Sequence, residues 1–254
     1  MQSMLLATRR LAVGTAAAAR RRHIVVLPGA PVPPAIAALG LMVQHEFASE
    51  AEERALVREV DARLAEAPYQ STHTDKIISG FRECGVEDFG ANADAAEAVR
   101  RVRLAAWQAT MGAARRGAKL YPHTQLIDMH PDGEIHAHRD NLHLFGEFTA
   151  GLNLASSAVL RFRPCDGRGA PDAAAEPIDV VLLPRSLYVM HGALRWEHTH
   201  EVLNRAGSAA VWGGGGGAAE GGGQPAEYVR GRRISAIVRD RSAASGFLSD
   251  VYYG

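Results

Sequence analysis

Residues 123–140 read HTQLIDMHPDGEIHAHRD, and the period of this stretch decides the fold. Apolar and polar side chains alternate on either side of a Pro-Asp-Gly break, the pattern of half-buried strands. The same period continues in FTAGLNL, SAVLRFRP, IDVVLLP, SLYVMHG, WEHTHEVL and RISAIVRD. With HTQLIDM and EIHAHRD these make eight short segments, separated by PDG, SS, a Gly/Pro/Asp-rich stretch at 164–177, PR, GALR and a long glycine-rich run. Strands of this number and spacing predict a double-sheet jelly roll or a small barrel.

Upstream the period becomes helical. In FASEAEERALVREVDARLAEAP (47–68), Ser49 and Glu52 have capping-box spacing, and Leu56, Val60 and Leu64 fall on one face ahead of Pro68. A second helix is expected from about Asp94 to Met111, opened by Asp94 and Glu97, with Val99, Val102 and Ala106 on its apolar side. The segment YQSTHTDKIISGFREC between them reads as a short strand and loop near the functional mouth. Its Tyr69, His73, Asp75, Phe81, Arg82 and Glu83 are expected to be substrate-side or structural residues. The expected class is therefore α+β with a mainly β core and two N-terminal helices packed on one sheet.

Charge is unevenly distributed. The chain has 28 Lys plus Arg against 28 Asp plus Glu, yet no acid precedes Glu46, while Arg9, Arg10, Arg20, Arg21 and Arg22 lie among Ala and Leu. Residues 1–25 read as an organelle transit peptide. Their apolar run is too short to span a bilayer, so no membrane anchor is expected. Removing the five arginines from a balanced chain leaves a net charge of about minus five, which argues against a dedicated nucleic-acid binder. Residues 26–45 form an uncharged leader, expected as an irregular or edge segment. The folded domain is expected over 46–245, interrupted by a mobile glycine-rich insertion at 206–223. Cys84 and Cys165 form no CxxC pair, which excludes a zinc-thiolate site and suits a reducing compartment.

His138 and Asp140 lie two apart on a candidate strand and so share a face, and WEHTHEVL supplies His198 and His200 about sixty residues later. Two imidazoles and one carboxylate suit Fe(II) with open positions for a bidentate co-substrate and oxygen. His136 shares the inward parity of that strand. A zinc site of His136, His138 and His200 in a cupin-like protein is the alternative, and His136 is otherwise a rim residue. Arg233 and Arg239, six residues apart, share one face of an apolar strand, while Arg232 faces outward. Buried guanidinium groups need anions. Arg233 suits the distal carboxylate of a dicarboxylate co-substrate; Arg239 either reaches back to join it or orients Asp140.

IHAHRDN, WEHTHEVL and RRISAIVR together resemble the HxD, distant His and Arg-x5-Arg signature of the AlkB-like dioxygenases. HTDKIISGFRE, IDMHPDGEIHAHRD, FTAGLNLASSAVLRF and LPRSLYVMHGALRWEHTHEVL bring the resemblance nearest to the mitochondrial AlkB homologue 7-type branch, over residues 47 to 240. It implies a double-stranded β-helix (jelly roll), with Fe(II) held by His138, Asp140 and His200 rather than His198. It also implies 2-oxoglutarate gripped by Arg233 with Arg239 as its partner, and O2 as the oxidant. The Asn and Tyr that precede HxD in DNA-repair members correspond to Ile127 and Met129, and Tyr188 is a candidate helper for 2-oxoglutarate. A monomeric enzyme in the mitochondrion, or alternatively the plastid, is expected, hydroxylating or demethylating a protein or small molecule. RNA or DNA demethylation, and a non-catalytic organellar scaffold with an iron site, are the alternatives.

Overall fold

The computed structural model describes residues 23–72, 76–110, 119–214 and 230–242. In chain order these form β1 (Ile24–Val26), α1 (Pro34–Leu39), β2 (Leu41–Gln44), α2 (Glu50–Arg63), β3 (Ile78–Val86), α3 (Ala93–Ala109), β4 (Thr124–His138) and β5 (Phe145–Leu154). There follow β6 (Ala158–Pro164), β7 (Ile178–Leu182), β8 (Ser186–Met190), α4 (Gly192–Trp196), β9 (His198–Val202), α5 (Arg205–Gly214) and β10 (Arg233–Arg241). The strands pair in the order β1-β7-β6-β9-β4-β10-β5-β8-β2, with β3 also on β4. The first half of β4 pairs with β3 and β10, and its end pairs with β9. That strand curls the sheet into two facing layers, which gives the expected jelly roll.

Alternation along each strand builds two main cores. On the outer face of the larger layer, Leu126, Phe148, Leu152, Ile234, Ala236 and Val238 pack under Leu56 and Val60 of α2 and Val99, Val102 and Ala106 of α3. Between the layers lie Leu160, Phe162, Val180 and Val202, facing Leu41, Tyr188 and Met190. The capping box of α2 forms as its sequence predicts, with Ser49 Oγ accepting from Glu52 N at 3.2 Å and Glu52 accepting from Ser49 N at 2.7 Å. The helix stops at Arg63, before Pro68. The second helix is capped two residues earlier than its acids imply, because Asn92, not Asp94, caps it by accepting from Ala95 N.

Two expectations change, at the Pro-Asp-Gly break and in the glycine-rich insertion. The Pro-Asp-Gly break is not a turn between two strands: β4 runs straight through it as a bulge. Phe81 pairs with Met129 and Ser79 with Glu134, so two steps on β3 span five on β4. Gly80 takes a left-handed φ of +60° at that point. The leader, expected as an irregular or edge segment, supplies edge strands: β1 pairs with β7 and β2 with β8 at opposite ends of the strand order. Residues 205–214 of the glycine-rich insertion are helical, since Val211 is buried with Val159, Val181 and Leu203. The rest of that insertion to residue 223, residues 1–22 of the transit peptide expected over 1–25, His73, Asp75 and Met111 lie outside the described residues. No helix among the described residues is long and apolar enough to cross a membrane.

Candidate metal centre

β4 and β9 are antiparallel, and His138 faces His200 directly across them. Their rings lie 4.2 Å apart, centroid to centroid. Asp140 is not on the strand as its spacing suggested. It follows the end of β4, in a turn that Arg195 of α4 holds by donating to the Asp140, Asn141 and Phe145 carbonyls at 3.2–3.4 Å. The turn brings Asp140 Oδ1 to 3.6 Å from His138 Nε2 and 3.8 Å from His200 Nε2. The three ligand atoms lie within 4.8 Å of one another, the one such group of three or more among the described residues.

Protonation favours a cation. His138 Nδ1 donates to the His136 carbonyl at 2.9 Å, which turns Nε2 toward the centre. Burial, then repulsion from His138, lowers the His200 pKa to about 3, so its imidazole is neutral near pH 7. Burial alone would raise the Asp140 pKa, but Arg239 and the two histidines hold it well below the ordinary carboxylate range. The other carboxylate oxygen is already occupied: Thr149 Oγ1 donates to Asp140 Oδ2 at 2.6 Å, and Arg239 Nε lies 3.4 Å from the same atom. A single oxygen, Oδ1, is therefore aimed at the two imidazoles.

His136 and His198 stand apart from this group. Pairs Ile135 with Val202 and His138 with His200 show that β4 gains one residue on β9 between them, so simple alternation fails there. The His136 ring is 54% exposed beside Glu134, which removes the basis for a zinc site of His136, His138 and His200. His198 Nδ1 bonds the Ala193 carbonyl, fixing α4 to β9.

Behind the triad, β10 aims Arg233, Ser235, Ile237 and Arg239 at one face. Arg233 is buried, and its Nε donates to Asn153 Oδ1 at 2.8 Å, while Asn153 Nδ2 is fixed by the Ser156 and Leu183 carbonyls. Arg239 does not join it. Nη1 of Arg239 donates to Gln125 Oε1 at 2.6 Å, and the guanidinium lies over the Phe145 ring as well as on Asp140. Tyr188 is buried against Gly151, where a Cβ would come within 2.4 Å of its ring. Burial raises the Tyr188 pKa, offset by Arg233 and Arg239, so the phenol keeps its proton and lies in the field of both arginines.

Ser235 Oγ is fully buried without a hydrogen-bond partner among the described residues. A buried hydroxyl left unpaired costs about 1–3 kcal/mol. It shares the β10 face of Arg233 and Arg239, the two arginines whose charges act on Tyr188. Sequence reasoning missed Ser235, Asn153, Thr149 and Arg195; for Ser235, its shared parity with Arg233 and Arg239 was the available signal. Of the loop candidates, Tyr69 and Arg82 both bond Asp128 and are structural, Phe81 packs on Ile127 and Met129, and Glu83 accepts from Gln125. Cys84 and Cys165 are free thiols.

No family model matches the chain. It is 31% identical over 206 residues to alpha-ketoglutarate-dependent dioxygenase alkB homolog 7, mitochondrial, of Bos taurus, covering 81% of this chain and 80% of the relative. The Mus musculus protein of the same name is 29% identical over 209 residues, with coverage of 81% and 80%. Among solved structures, a Pseudomonas putida prolyl-4-hydroxylase superposes with a TM-score of 0.50 at 18% identity, over 82% of this chain and 95% of that one. A Trichoplax adhaerens prolyl hydroxylase in complex with a hypoxia inducible factor peptide gives 0.54 at 9%, over 86% and 90%. These structural likenesses support the jelly roll alone; the sequence relationship and the His/Asp/His triad carry the rest. The chain belongs to the AlkB-like family of alpha-ketoglutarate-dependent dioxygenases.

Proposed function

We propose that the protein is an Fe(II)- and 2-oxoglutarate-dependent dioxygenase that hydroxylates or demethylates a protein or small-molecule substrate in the mitochondrion. The observation that carries this reading is the convergence of His138, a neutral His200 and a single oxygen of Asp140, with the buried, unpaired Ser235 Oγ on β10. His138, Asp140 and His200 would hold the iron on one side. Bound there, iron with O2 and 2-oxoglutarate supplies oxidation of a substrate C–H bond coupled to loss of CO2 and release of succinate.

The chain's own residues bind and orient. Arg233, with Nε committed to Asn153, would grip the distal carboxylate of 2-oxoglutarate through its terminal nitrogens. Ser235 Oγ and the protonated Tyr188 phenol would donate to the same co-substrate. Apolar walls from Leu160, Phe162 and Val202 limit water around them.

The nature of the relatives and the acid-free basic N-terminus support the mitochondrion. A protein or small-molecule substrate is favoured over nucleic acid because reading a flipped base needs exposed aromatic stacking. Among the described residues the exposed large hydrophobics are Tyr69 and Leu104; Tyr69 is tied to Asp128 and Leu104 lies on α3.

The test is an anaerobic absorption spectrum of the full chain with Fe(II) and 2-oxoglutarate, beside His138→Ala and Arg233→Ala. A visible metal-to-ligand charge-transfer band is expected in the parent, absent without His138 and weakened without Arg233. A folded, iron-loaded parent with no such band would overturn the assignment.

A further inference from the structure

Asp140 is the end of a chain of side chains that begins at the rim of the larger layer. Glu83 on β3 accepts from Gln125 Nε2 on β4 at 2.6 Å; Gln125 Oε1 accepts from Arg239 Nη1 on β10 at 2.6 Å; Arg239 Nε then lies 3.4 Å from Asp140 Oδ2. Three strands thus act on one carboxylate. We propose that Gln125, oriented by Glu83, is a positioning residue that fixes the rotation of the Asp140 carboxylate through Arg239, so that one oxygen alone faces the metal. This rests on the metal-centre reading above.

A guanidinium beside a carboxylate prefers the two-pronged pairing that takes both oxygens. Here that pairing would draw Oδ1 away from His138 and His200. It does not form, because Nη1 is bonded to Gln125 and only Nε is turned toward Asp140, on the Oδ2 side that Thr149 also holds. The Phe145 ring, 4.6 Å from the guanidinium carbon, supports the cation from its face and does not fix its rotation in the plane. Gln125 does. An amide has a donor end and an acceptor end, and a flip would set Nε2 against Arg239, donor against donor. Glu83, an acceptor-only group when ionised, selects the orientation that presents Oε1 to Arg239.

The experiment is a Co(II) titration of the full chain, read from the visible absorption of the bound ion, in the parent, His138→Ala, Gln125→Leu, Gln125→Asn and Glu83→Gln. Partners of metal ligands typically change affinity by about 10–100-fold. We expect Co(II) binding weakened roughly tenfold in Gln125→Leu, with a changed band shape, and the same direction in Gln125→Asn, whose shorter arm cannot span Glu83 and Arg239. Glu83→Gln keeps an acceptor for Nε2 and should stay within about threefold of the parent, well inside the range for lost partners. If both Gln125 variants fold and bind Co(II) with the parent's affinity and band, the positioning role falls while the metal site stands. A Glu83→Gln loss equal to that of Gln125→Leu overturns the orienting role of Glu83. If His138→Ala binds Co(II) as well as the parent, the metal-centre reading fails and takes this inference with it.

Discussion

Asp128 holds a carboxylate beneath the helices with none of its side chain exposed, on the opposite face of β4 from Ile127 and Met129. Arg232 donates to both of its oxygens at 2.8 Å, Arg82 Nε to one at 2.8 Å, and the Tyr69 hydroxyl completes the set. Burial pushes its pKa upward, yet the hydrogen bonds from Arg232 and Arg82 win and leave it below the ordinary value. A carboxylate with a depressed folded pKa stabilises the protein above the unfolded pKa, about 3.9, and loses that contribution as pH falls through the folded value. Asp128→Asn should therefore cost roughly 2–3 kcal/mol at pH 7, the low end for a broken buried pair because both arginines keep some exposure. Urea unfolding of parent and variant from pH 7 to pH 3 measures it: the gap should be constant at the upper end and narrow below about pH 4. A gap independent of pH down to pH 3 would assign the loss to packing rather than to the ion pairs. Outward parity marked Arg232 in the sequence, but nothing in a strand period says which acid, 104 residues away in sequence, will lie under it.

At the scale of elements, β4 does most of the organising, and it is where period reading succeeds and then stops. Alternation identified the strand and its inward face because each layer buries one side of it. It failed twice, at Pro131–Gly133 and between Ile135 and His138, because a bulge inserts residues without altering composition. The first bulge depends on close backbone contact. A Cβ on Gly133 would come within 2.6 Å of the Gly80 carbonyl oxygen and 2.9 Å of that of Ser79, both main-chain atoms with no rotamer to yield. Gly133→Ala should therefore force β3 away from β4 and destabilise by about 1–3 kcal/mol, the usual cost of overpacking. Thermal or urea unfolding tests this. Gly167, whose added Cβ would meet nothing within 4 Å, is the matched control and should tolerate alanine. An unchanged midpoint for Gly133→Ala would mean that the bulge can relax and does not set the approach of β3.

For the whole molecule, the jelly roll was legible because eight segments of strand period and two helices admit few packings, and the triad because the His138/Asp140 spacing marked one end of it and the family resemblance chose His200 over His198. The residues proposed for the co-substrate were only half legible: Arg233 stands out as a charge on an apolar strand, whereas Ser235 is an ordinary strand residue until the fold buries it. That closure gives the last prediction. His138 and Asp140 come from the end of β4 and the turn beyond it, and His200 from β9, so the ligands converge only after both layers have formed. An unfolded chain keeps His200 about sixty residues from its partners and binds a divalent ion far more weakly. Metal present at a hundred times its Kd should then stabilise the fold by about 2.7 kcal/mol, a rise in Tm of roughly 5–10 °C for a domain of this size. Anaerobic melts with Fe(II), with and without excess chelator, measure that rise. It should vanish in His138→Ala, and 2-oxoglutarate should add to it in the parent but much less in Arg233→Ala. Equal rises in parent and His138→Ala would mean the ion binds elsewhere, and the pairing of His138 with His200 would then serve only to join the two layers.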